Sequence, residues 1–79
     1  MNHNALKALL KAVAETVRYA KQAPSGVIYA GLMGMGVTID QYQAIEAALI
    51  NVLKVRKSGD VLYWTDDSEA IFHEAKEGK

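Results

Sequence analysis

Two histidines, three serines and nine carboxylates are among the side chains here that could move a proton or attack a carbonyl, and their spacing organises none of that chemistry. His73 follows Glu69 by one helical turn, and Glu-x-x-x-His makes a surface pair on a helix, whereas the helical zinc motif needs two imidazoles at that spacing. His3 is the chain's other histidine. Ser25, Ser58 and Ser68 stand in cap or turn contexts, without the glycine-flanked strand-to-helix turn that exposes a nucleophile. No two carboxylates share an apolar setting that would drive their acidities apart. The run Gly31-x-x-Gly34-x-Gly36 reverses the order of a dinucleotide fingerprint and has no βαβ context to aim a pyrophosphate at a helix start. Tyr19, Tyr29, Tyr42 and Met33 fall at helical core spacing and read as packing, not as a cofactor box. The expectation is a non-enzymatic chain with no catalytic residue, metal, cofactor or small-molecule substrate.

What remains is binding, and its chemistry lies in where the charges stand. The net charge of zero divides unevenly: residues 1–22 carry +3, 23–53 carry −2, 54–64 carry +2 and 65–79 carry −3. Two basic regions, one with Lys7, Lys11, Arg18 and Lys21 and one with Lys54, Arg56 and Lys57, thus flank an uncharged or acidic middle. At 79 residues the chain is one expected domain over 1–76 with a frayed tail at 77–79, and its core is thin. Without cysteine there is neither a disulfide nor a thiolate metal site, so packing, with or without self-association, must hold it together. Lysines interrupt the first apolar stripe, against a secretory leader, and a cytoplasmic location is expected. The uncharged stretch between Gln22 and Ile39 is too short and too rich in glycine for a membrane span, which takes roughly 20 apolar residues.

The elements that position these charges follow from periodicity. Ala5, Leu6, Leu9, Val13, Val17 and Ala20 form one stripe of a helix over about Asn4–Gln22, with Asn4 as cap, and Lys7, Lys11, Ala14, Arg18 and Lys21 form the opposite stripe. The cluster Ala23-Pro24-Ser25-Gly26 should end it, and Ser25 should cap a short helix that buries Val27, Ile28, Leu32 and Met33. Gly34 or Gly36 should take a left-handed conformation at its exit. Thr38-Ile39-Asp40-Gln41 spells a capping box, after which Ile39, Tyr42, Ile45, Leu49 and Val52 share a core arc with Ala48 at its edge. The far side of that helix carries Asp40, Gln43, Ala44, Ala47, Ile50 and Asn51, with Glu46 on the flank and no cation.

A hairpin should follow. Leu53–Lys57 and Asp60–Trp64 join at Ser58-Gly59, pairing Lys57 with Asp60, Arg56 with Val61, Val55 with Leu62, Lys54 with Tyr63 and Leu53 with Trp64. Leu53, Val55, Leu62 and Trp64 then face the helices, and Lys54, Arg56, Val61 and Tyr63 face outward. Asp66 should cap a last helix from Asp67 to about Glu74, with Glu69 in the box position and Ile71 and Phe72 as anchors.

Helix, helix, turn, helix, hairpin, carried by Ser25 to Trp64, resembles the winged helix-turn-helix superfamily. The expected fold class is mainly α with a small antiparallel β-hairpin: a three-helix core, a wing and a short C-terminal helix. The resemblance implies a DNA-binding, regulatory module, with the Thr38–Val52 helix in the major groove and the wing along a phosphate backbone. Gln41, Gln43, Ala44 and Ala47 then become base-reading candidates, Gln43 because glutamine can pair with adenine. Lys54, Arg56 and Lys57, beside Tyr63, become phosphate contacts, with Lys7, Lys11 and Arg18 as more distant candidates. Asp40 and Glu46 depart from that pattern, since phosphates repel them and they release no counterions. Basic wing residues also occur on hairpins where they only keep edge strands apart. The alternative is a homodimeric or partner-binding module that buries Ala44, Ala47 and Ile50 against another protein.

Overall fold

The computed structural model describes the backbone of residues 3–77 and the side chains of residues 4–74. Its elements run α1 (His3–Ala20), β1 (Gln22–Pro24), α2 (Ser25–Met33), α3 (Ile39–Asn51), β2 (Arg56–Ser58), β3 (Val61–Tyr63) and α4 (Asp66–Glu77). This is a mainly helical domain with a small antiparallel sheet, in a winged-helix-like layout. The outermost part of the expected tail, residues 78–79, lies outside the described residues, while residue 77 still belongs to α4.

The first departure from expectation is β1. α1 stops at Ala20 because Lys21 turns left-handed, φ 73°, while its N–H donates to the Val17 carbonyl at 2.8 Å. Gln22–Pro24 then runs extended, as a residue before proline prefers, and pairs antiparallel with β3: Gln22 with Tyr63, Ala23 with Leu62, Pro24 with Val61. The strand order β1-β3-β2 leaves β1 at an edge, where a proline without an N–H is tolerated. Trp64 N–H to the Lys21 carbonyl (2.9 Å) and Ser25 N–H to the Asp60 carbonyl (2.7 Å) continue the seam at both ends. Ser25 is therefore not a cap; Pro24 holds the N-cap position of α2 with no side-chain bond.

α2 is apolar nearly all round, so its sequence selects no inner face, and docking selects one. Leu32 is buried and Ile28 and Tyr29 are half-buried, but Val27 and Met33 lie 68% and 55% exposed, contrary to expectation. Gly36 takes the left-handed turn at φ +89°, whereas Gly34 remains right-handed at φ −63°. The Thr38 box closes as its spacing requires: Gln41 N–H donates to Thr38 Oγ1 at 3.2 Å, and Thr38 N–H donates to Gln41 Oε1 at 2.9 Å. In α3, Tyr42, Ile45 and Leu49 are buried, but Ile39 and Val52 at the ends of the arc are exposed and Ile50 on the outer side is half-buried.

The hairpin register differs from the expected one by two residues. α3 does not hand over directly to a strand: Lys54 sits at φ +61° and lets Val55 N–H donate back to the Leu49 carbonyl at 3.0 Å. Leu53–Val55 therefore belong to the helix exit, and pairing begins at Arg56: Arg56 with Tyr63, Lys57 with Leu62, Ser58 with Val61. The two-residue turn is Gly59-Asp60, not Ser58-Gly59, with Gly59 at φ +60° in the first central position. A shift of two keeps every side chain on its side, so Leu53, Val55 and Leu62 still enter the core, with Trp64 half-buried at its margin.

Around Ile45, Leu49 and Leu62 the core gathers Val13, Ala14 and Val17 of α1, Ala23 of β1 and Phe72 of α4. Ala14, placed by periodicity on the outer stripe, is buried, while Ala5 and Ala20 are exposed. Tyr19 is exposed as well, and Tyr29 packs on Tyr42 with ring centroids 5.2 Å apart. α4 is capped by Thr65, not Asp66: Ser68 N–H donates to Thr65 Oγ1 at 3.0 Å, and Thr65 N–H donates to Ser68 Oγ at 3.2 Å. Glu69 is thereby released from the box for another task.

Candidate functional site

The outer face of α3 and the wing meet along one charged contact. Lys57, opposite Leu62 on the inner side of the hairpin, reaches Glu46 on the flank of α3, Nζ to Oε2 at 3.1 Å. The pair cancels both charges that the sequence sets in opposition, the wing cation and the helix anion, and pins β2 beside α3. Tyr42 joins this corner: its hydroxyl donates to the Ser25 carbonyl at 3.3 Å and lies 3.5 Å from Glu46 Oε2. Burial, reinforced by the Glu46 charge, pushes the Tyr42 phenol up to about 12, so it stays a neutral donor.

On the outer side, Arg56 lies over the Tyr63 ring, guanidinium carbon 4.7 Å from the centroid, across a register pair of the hairpin. Arg56 remains exposed and its charge outward, so it and Lys54 are the wing cations without an acidic partner among the described residues. The outer α3 surface presents Gln43, Ala44, Ala47 and Asn51, all exposed. Of the residues named from sequence, Gln41 is committed through Oε1 to its capping box, Lys57 to Glu46, and Ile50 is half-buried. Gln43, Ala44, Ala47, Lys54, Arg56 and Tyr63 remain available at the surface or its margin.

Arg18, a more distant phosphate candidate, is taken elsewhere. It donates twice to Glu69, Nε to Oε1 and Nη2 to Oε2, both at 2.8 Å, and its guanidinium lies 5.1 Å from the Phe72 centroid. Trp64 Nε1 donates to the same Oε1 at 2.8 Å, and His73 Nε2 stands 2.7 Å from Oε2. The bidentate Arg18 bonds, then the indole N–H, hold the Glu69 carboxyl down to about 2, and the bonds to Glu69 in turn raise Arg18 above its ordinary value. Spacing exposes only the Glu69–His73 pair of this clasp; the Arg18 bonds join residues 51 apart, invisible to any periodicity. Its geometry is that of a tie between α1 and α4.

Among the described residues no cluster of histidine, aspartate and glutamate could hold a metal ion, and no helix is long and apolar enough to cross a membrane. Compared with protein-family models, curated proteins and solved structures, the chain matches none.

Proposed function

We propose that this chain is a winged-helix module of the cytoplasm that binds duplex DNA and regulates through it. The observation that supports the reading is the placing of the wing: β1 and the Glu46–Lys57 bridge fix the hairpin beside α3, with the Arg56–Tyr63 pair outward and the α3 face of Gln43, Ala47 and Asn51 unobstructed. Gln43 and Asn51 both carry carboxamides able to pair with adenine in the major groove, while Lys54 and Arg56 meet phosphates. Lys57, neutralised by Glu46, contributes less. With two or three phosphates neutralised, log K should fall against log salt with a slope of about −2 to −3. Fluorescence anisotropy of a labelled duplex across a salt series measures it, and Arg56→Ala should flatten the slope by about 0.9. Absence of binding at low salt, or a slope indifferent to Arg56→Ala and Lys54→Ala, sinks the reading.

A second reading is favoured by the exposed Val27 and Met33 of α2, Met35 of its exit turn and Ile39 at the start of α3, which do not need DNA to explain them. On this reading the module self-associates or docks a protein partner through that surface, or through Ala44 and Ala47. Met35→Asp and Ala47→Asp test it by sedimentation, since both positions are exposed, whereas Ile50 is too buried for a clean test.

A further inference from the structure

A groove of about 350 Å³ opens between α1, the end of α3 and α4. Its floor is Ala14, Leu53 and Phe72, all buried. Leu10 and Val52 form the walls, and among the described residues the charged groups lining it are Lys7 and Lys11. Three observations belong to this groove together. Ala14 is the small residue that leaves the depression; its position in a helix stripe otherwise filled by long side chains is what makes room. Val52, a core position by spacing, is 61% exposed. Lys7 and Lys11 stand at i and i+4 on one helix face, a mutually repelling arrangement, and neither makes an ion pair among the described residues.

An apolar trough with two ammonium groups at its mouth complements a molecule with a hydrocarbon body and one anionic end. The volume lies toward the small end of ordinary ligand pockets, which run from about 300 to 1,000 Å³. We infer that this groove binds a free monocarboxylate amphiphile of medium chain length, its tail against Leu10, Val52 and Phe72 and its carboxylate between Lys7 and Lys11. Burial of the tail supplies affinity, and the lysines supply the choice of anion over neutral or cationic analogues. The inference is separable from the proposed DNA contacts: the groove is lined by Lys7, Leu10, Lys11, Val52 and Phe72, whereas that reading rests on Gln43, Ala47, Asn51, Lys54 and Arg56, and either can fail without the other.

Trp64 is the chain's only tryptophan and packs edge-on to Phe72 with centroids 5.7 Å apart, so its emission reports on the groove floor. Titration of the full chain with octanoate should change that emission along a saturable curve with one site per chain, and shift the backbone amides of Lys7, Lys11 and Leu53 in nuclear magnetic resonance spectra. Octanamide, equal in length but neutral, should bind about 5- to 30-fold more weakly, the worth of two exposed ion pairs. In the double variant Lys7→Gln/Lys11→Gln the two ligands should bind alike, while Val52→Phe, which fills the groove from an exposed position, should weaken both at least tenfold. Thermal melts of the variants check that each remains folded. Equal affinities of octanoate and octanamide for the unaltered chain overturn the inference, as does octanoate binding that Val52→Phe leaves intact. So does association only with octanoate aggregates or anionic vesicles, or capture of an acidic amphipathic peptide with no octanoate binding.

Discussion

Thr65→Ala offers the sharpest test of how α4 is held, because geometry and sequence spacing assign its cap to different residues. Thr65 Oγ1 accepts from Ser68 N–H at 3.0 Å and donates to the Lys54 carbonyl at 3.1 Å. With its one proton given to Lys54, it must accept from the Ser68 hydroxyl at 2.8 Å, while Ser68 Oγ accepts from Thr65 N–H at 3.2 Å. Ser68 is fully buried, so alanine at 65 leaves its N–H and its hydroxyl proton without the Thr65 acceptor, while Ser68 Oγ still accepts from the backbone N–H of residue 65. The loss of a cap and of a buried bond is worth about 1–2 kcal/mol. Against a total of about 4–12 kcal/mol for a domain of this size, that is a large fraction, and it should lower the melting temperature by about 5–15 °C. Thr65→Ser keeps the oxygen and should cost less than about 0.5 kcal/mol. Asp66→Ala, which a cap at Asp66 would make the damaging change, should lose only a favourable helix-end charge of about 0.3–1 kcal/mol. Urea and thermal denaturation followed by far-ultraviolet circular dichroism rank the three variants. An Asp66→Ala loss larger than that of Thr65→Ala refutes the assignment.

Further outcomes follow from other local geometry. Glu69 is held at about 2 in the folded chain against 4.5 unperturbed, so its contribution is complete above pH 4.5 and drains away as pH falls toward 2. Wild type should therefore lose more stability across that window than Glu69→Gln, and parallel acid titrations would contradict the clasp. Lys54 occupies a left-handed conformation that glycine adopts freely, so Lys54→Gly should be up to about 1 kcal/mol more stable, while Lys54→Val should lose about 1–2 kcal/mol; a glycine variant clearly weaker than wild type argues against the turn. Lys57→Ala strands Glu46, whose side chain is only 14% exposed, and should cost about 1 kcal/mol, more than Arg56→Ala; equal losses in denaturant melts would separate Lys57 from that role.

The parts of this fold legible in the sequence were those written in local periods. The Thr38–Gln41 box, the buried arc of Tyr42, Ile45 and Leu49, and the inward side of Leu53, Val55 and Leu62 each follow from spacing within a single element. β1 was not legible because three residues ending in proline carry no alternation, and their partner lies about forty positions on in β3. The register of the hairpin turned on Lys54, a lysine at positive φ, where nothing in the residue type signals a reversal. Asp66 has a cap's chemistry as much as Thr65 does, and only the buried position of Ser68 decides between them. At the candidate site, residue types identified Arg56, Lys57 and Tyr63, but which cation is free depends on the Glu46–Lys57 bridge across two elements.

β3 is the middle strand, and its two neighbours come from opposite stretches of the chain, β1 from before α2 and β2 from after α3. The first two dozen residues therefore find no sheet to join until the hairpin has closed, and α1 finds no Glu69 to grip until α4 has wound. Closing so long a loop costs entropy before it returns any bonding, so assembly should begin at the hairpin and finish where the beginning and the far end of the chain fasten to it. Neither half retains a complete sheet when separated from the other. The domain should melt as one unit, and a cut in any connecting turn should leave fragments that regain structure only by reassociating.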